Sequence, residues 1–104
     1  MLVTQNGVPF LQKSELVTSI RHFSQIYKDA SAYVAAIPTY FGGHMALGWA
    51  SDDTSLRQVP LEVLEQRFEE AAIDTRYYLP DVHAAAFALP RFIRDAVEEG
   101  RKAG

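Results

Sequence analysis

Pro38 and the pair Gly42-Gly43 break one long apolar stretch in two, and that break constrains the chain more than any other feature. Ala32 to Ile37 is apolar throughout, with Tyr33 and Val34 at its centre, and His44 to Ser51 resumes the same character. Proline has no N–H to give to a sheet ladder, and the two glycines interrupt packing, so Thr39 to Gly43 reads as a loop at the carboxyl end of a strand. A link this short cannot carry the chain back across a sheet, so the strand from His44 to Ser51 must run antiparallel to its predecessor. The unrelieved apolar run before Pro38 suits a strand covered on both faces and internal to its sheet.

Around this pair the other elements follow from periodicity. Met1 to Thr4 favours a short strand, ended by Gln5-Asn6-Gly7, where Gly7 can take positive φ. Leu16, Ile20, Phe23 and Tyr27 recur at helical spacing, which predicts a helix over Lys13 to Lys28 with Ser14 as its N-cap. Pro60 begins a helix whose apolar face is Leu61, Leu64, Phe68 and Ala72, in keeping with proline's preference for the first helical turn. Ile73 to Tyr78 is too short to classify. Pro80 opens a short helix through Phe87, and Pro90 opens the last, where Phe92, Ile93, Ala96 and Val97 cluster. The tail from Glu98 is expected to fray. About three strands with four helices make an α/β fold, one partial domain over residues 1–104, with an unpaired sheet edge that calls for more chain or a partner.

Composition removes several function classes. Ten Lys and Arg against 13 Asp and Glu give a formal charge of −3, with no electrostatic footprint for nucleic acid or an anionic membrane. The absence of cysteine excludes a disulfide scaffold and a thiolate metal site, and makes the cytoplasm the default compartment. No apolar run approaches the roughly 20 residues of a membrane span, and the amino terminus lacks the pattern of a signal peptide. The glycines fit neither a P-loop nor a dinucleotide fingerprint. His22, His44 and His83 fall on different elements without ligand spacing, so no metal site is assigned. Asp52 and Asp53 read as solvated turn residues, Ser51 and Ser55 lack a histidine and acid behind them, and Glu65, Arg67, Glu69 and Glu70 read as the wet face of a helix.

One place could hold a ligand. In open α/β sheets ligands sit outside the carboxyl ends of strands. Gln5 ends the first strand and Tyr40 follows the second, and the two lie side by side if those strands are parallel neighbours. Gln5 offers an amide, Tyr40 a hydroxyl on an apolar ring, and Trp49 or Phe41 an aromatic wall for an alkyl or cationic ligand. The alternative is that Gln5 caps a turn and Tyr40 packs on a helix.

Thr4-Gln5-Asn6-Gly7, then Ile37-Pro38-Thr39-Tyr40-Phe41-Gly42-Gly43, then Arg76-Tyr77-Tyr78 through His83 to Pro90, together resemble the carboxyl-terminal third of the spermidine synthases. The resemblance covers essentially the whole chain. It implies the carboxyl-terminal part of a methyltransferase-like (Rossmann-like) doubly wound sheet. It also implies an enzyme family that moves an aminopropyl group from decarboxylated S-adenosylmethionine to putrescine, giving spermidine and methylthioadenosine. That reaction needs no cofactor beyond its nucleoside co-substrate. By the same resemblance Gln5 and Tyr40 are substrate-binding residues of the amine pocket, and Tyr77, Tyr78, His83 and Phe87 pack. No catalytic residue carries over, because the family's aspartate base and glycine-rich donor loop would lie before Met1. A portion of that kind should be inactive alone and should form a homodimer or higher homo-oligomer. The competing reading, which Met1 permits, is a stand-alone interaction module that self-associates through its sheet edge.

Overall fold

Small side chains on one face of a three-stranded sheet decide how closely its helices can settle. The computed structural model describes residues 1–37 and 42–103. Its strands are β1 (Leu2–Gln5), β2 (Asp29–Ala35) and β3 (Met45–Ser51), and its helices are α1 (Lys13–Ile26), α2 (Leu61–Ala71), α3 (Pro80–Ala86) and α4 (Arg91–Ala103), with a 3-10 turn at Leu56–Gln58. Alternate residues of a strand share a face. Ala30 and Ala32 of β2 and Ala46 and Ala50 of β3 therefore present one flat surface, on which Leu16, Ile20 and Phe23 of α1 and Ile93, Ala96 and Val97 of α4 are buried.

Sheet order is β1-β3-β2, antiparallel throughout. The antiparallel hairpin expected from the tight link is present, but two expectations fail. β2 is covered on both faces yet lies at an edge, because β3 folds back into the centre. β1 and β2 run parallel but are not neighbours, since β3 lies between them; the centre belongs to the strand that can pair on both sides. The exposed edges expected of a three-stranded unit are thus the outer sides of β1 and β2.

The opposite face is aromatic. Tyr33 and Trp49 meet Phe87 after α3, with ring centroids 5.2 and 5.5 Å apart. α2 packs on α3, and Phe68 lies 5.6 Å from Tyr78. Ile73 to Tyr78 forms no strand or helix.

The helix boundaries correct two further readings. Ser14 lies inside α1, whose N-cap is Gln12; the Gln12 side chain instead accepts from Val8 N at 3.0 Å, tying down the preceding loop. The tail does not fray. α4 continues to Ala103, because Gly100 is buried against α1 and Arg101 donates to the Ala30 carbonyl at 2.8 Å. Strand β2 also begins earlier than its apolar run, at Asp29, whose buried carboxylate receives both Nε and an Nη of Arg57 at 2.8 and 3.0 Å. Asp52 and Asp53 are turn residues as expected: Asp52 accepts from Lys28 N, and exposed Asp53 accepts the Ser55 N–H and hydroxyl, which lowers its pKa.

Candidate functional site

The carboxyl ends of β1 and β2 emerge on the same side of the sheet, as parallel strands must. Gln5 stands opposite Leu47, and Leu47 opposite Tyr33. Direct cross-strand partners share a face, so Gln5 projects on the side that carries α3, two ladder spacings, about 10 Å, from Tyr33. Gln5 is exposed and also borders a polar cleft of about 380 Å³ with Asn6, Glu15 and Ser19.

Its neighbour Asn6 is buried and fully engaged. Asn6 N donates to the Ala46 carbonyl at 2.9 Å, Oδ1 accepts the Thr4 hydroxyl at 2.7 Å, and Nδ2 donates to Ser19 Oγ of α1. A buried amide satisfied at both ends fixes the backbone on either side of it. Gly7 then takes φ +73, and its carbonyl accepts from Ala46 N at 2.8 Å, so β1 is clamped to β3 beyond its last ladder pair. Gly48 makes room for this clamp: a Cβ there would strike Asn6 Oδ1 and come within 2.8 Å of Thr4 Oγ1.

The loop after β2 reaches the same place. Gly42, at φ +93, packs so closely on the chain after β1 that a Cβ would lie 2.8 Å from Leu11 Cδ1 and 3.1 Å from Val8 Cγ1. The loop that joins β2 to β3 therefore touches the chain after β1 through Gly42, Val8 and Leu11. Tyr40 and Phe41, with Pro38 and Thr39, lie outside the described residues. Trp49 does not serve as a wall at this end, because it is buried further down β3 against Phe87. His44 is exposed, and among the described residues no three His, Asp or Glu side chains are grouped to hold a metal ion. No described helix is long and apolar enough to cross a membrane.

Sequence reasoning missed a second recess. A cavity of about 260 Å³ on the α3 face is lined chiefly by Tyr33, Trp49, Tyr77, Tyr78, His83 and Phe87. Its signal was present in the string Arg76-Tyr77-Tyr78 to Phe87, but only folding shows that those aromatics meet Tyr33 and Trp49. The Tyr78 hydroxyl lies 2.7 Å from His83 Nδ1, and Tyr78, His83 and Phe87 pack as expected, whereas Tyr77 is exposed and accepts the Ala36 N–H at 3.1 Å. Burial raises the pKa of Tyr33 and keeps its phenol neutral.

Known proteins place this arrangement. Over 94 residues the chain is 52% identical to the polyamine aminopropyltransferase of Ruegeria sp., a match covering 90% of this chain and 33% of that protein. The chain is homologous to polyamine aminopropyltransferases. The Serratia proteamaculans aminopropyltransferase is 50% identical over 101 residues, covering 97% of this chain and 35% of its own length. The chain thus spans about a third of the length of the curated relatives it matches. No protein-family profile matches. In three dimensions the crystal structure of spermidine synthase from Thermotoga maritima superposes with a TM-score of 0.78 at 21% identity, over 92% of this chain and 33% of that one. Three strands with four helices therefore match part of the spermidine synthase fold, consistent with the expected carboxyl-terminal part of a Rossmann-like sheet. The stand-alone interaction module is not favoured, since the aminopropyltransferase likeness occupies nearly the whole chain.

Proposed function

We propose that residues 1–104 are a single partial domain, the carboxyl-terminal portion of a spermidine synthase, and contribute one side of its amine pocket. The complete enzyme transfers the aminopropyl group of decarboxylated S-adenosylmethionine to putrescine, giving spermidine and methylthioadenosine. The identity of about 50% to aminopropyltransferases over at least 90% of the chain carries this reading. Gln5 and Tyr40 bind the diamine. The Asn6 clamp fixes the backbone beside Gln5 at the strand end, and the Gln5 amide presented there can orient a nucleophilic amine. Tyr40, which follows β2 in the sequence, is the second residue of this reading. The attacking amine must lose a proton before displacing at the carbon beside a sulfonium, and the base and the donor site belong to the remaining two thirds of the enzyme. The portion alone is inactive. It works in the cytoplasm as a homodimer or higher homo-oligomer, for which the outer edges of β1 and β2 speak.

The test replaces the matching third of the Serratia proteamaculans enzyme with this chain. The chimera should make spermidine from putrescine and decarboxylated S-adenosylmethionine, and the isolated chain should make none. In the chimera Gln5→Ala and Tyr40→Phe should each raise KM for putrescine roughly tenfold, the effect of one lost hydrogen bond to a charged or reacting group. Turnover by the isolated chain, or a folded chimera without activity, would overturn the reading.

A further inference from the structure

The aromatic cavity on the α3 face shares no lining residue with the polar cleft that Gln5 borders. Trp49, 8% exposed, forms its floor with Tyr33, while Tyr77, 56% exposed, and Val82 stand at its mouth. Its rings are fixed by their own partners. The Tyr77 hydroxyl is anchored on Ala36 N, Tyr78 on His83, and Phe87 is wedged between Tyr33 and Trp49. With those hydroxyls engaged, the recess presents mainly ring surfaces, and no Asp, Glu, Lys or Arg lines it. Aromatic surfaces arranged in this way attract organic ammonium groups through the ring quadrupole, and the methylenes of an alkyl chain pack on the same rings.

We propose that this cleft binds a short, linear alkylammonium ion at a site separate from the amine pocket. The volume, about 260 Å³, lies below the range of about 300–1,000 Å³ that suits drug-sized ligands, so a small unbranched amine fits the space. The neutral phenol of Tyr33 can accept a hydrogen bond from the ammonium, and the chain's net charge of −3 favours a cation over an anion. The assignment stands on the cleft's lining and not on Gln5 or Tyr40.

Trp49 is the single tryptophan, so its emission reports this cleft alone. The full chain is titrated at constant ionic strength with 1,4-diaminobutane, with n-butylamine and with 1,4-butanediol, a neutral molecule of the same length. Both amines should change Trp49 emission saturably, and the diol should bind about tenfold more weakly, the ratio for losing a desolvated cation–π contact. Val82→Lys, which places a competing ammonium at the mouth, should abolish the response while far-UV circular dichroism stays unchanged. Tyr77→Leu should weaken it, and Glu99→Ala, on the exposed side of α4, should leave it intact. An equal response to the diol, no saturable response to either amine, or an undiminished response in folded Val82→Lys would each overturn the proposal.

Discussion

Gly48→Ala is the most informative single change, because it tests whether the Asn6 clamp holds the end of β1. In an ordinary strand alanine is better than glycine by roughly 0.5–1 kcal/mol, through the lower entropy of the unfolded chain. At this position the new Cβ would meet Asn6 Oδ1, lie 2.8 Å from Thr4 Oγ1 and lie 2.9 Å from Phe23 Cε2. Overpacking of that kind costs about 1–3 kcal/mol. Moving Asn6 away breaks its bonds to Thr4 and Ser19, worth about 1 kcal/mol each. The net loss is about 2–3 kcal/mol, which with a urea m-value of about 1–1.5 kcal/mol/M lowers the unfolding midpoint by about 2 M. Adding Asn6→Ala removes the struck oxygen, so the double variant should be at least about 1 kcal/mol more stable than the sum of the singles. A midpoint change below about 0.4 M in Gly48→Ala, or additivity in the cycle, would refute the clamp.

Arg57→Met should cost about 2–3 kcal/mol in urea unfolding, since it strands the buried Asp29 carboxylate, and Asp29→Asn in the same chain should recover part of the loss. Gly100→Ala should destabilise by about 1–2 kcal/mol despite its better helix propensity, because the Cβ would lie 2.7 Å from Ile20 Cβ and 2.8 Å from the Val17 carbonyl oxygen; Glu99→Ala, on the exposed side of α4, is the control. Tyr33 should be among the last tyrosines to ionise when absorbance at alkaline pH is followed. Its pKa is raised in the folded state, so the native protein retains the proton longer, and this residue's contribution to stability is flat below pH ~10 and falls above it.

The hairpin, the four helices and the turn at Gly7 were legible because each rests on a local cause. A proline cannot donate, a glycine tolerates positive φ, and apolar residues at helical spacing need one side covered. Ser14 was misread as a cap because a capping-type residue beside a helix start says nothing of what Gln12 can reach. The tail after Glu98 looked frayed because charge and glycine are read locally, whereas Gly100 is there to let α4 approach Ile20 and Val17. Gln5 was identifiable as the residue at a strand end, but the amide that fixes it, Asn6, gave no signal beyond belonging to a turn.

Sequence alone determined the local elements of this protein and its kinship, since both depend on residue identity and order along the chain. Tertiary structure decided which strand is central, why Gly48 and Gly100 have no side chain, and that Tyr33, Trp49 and Phe87 meet around one cavity. These are contacts between residues distant in the chain, and no local propensity encodes the space that two packed elements leave between them.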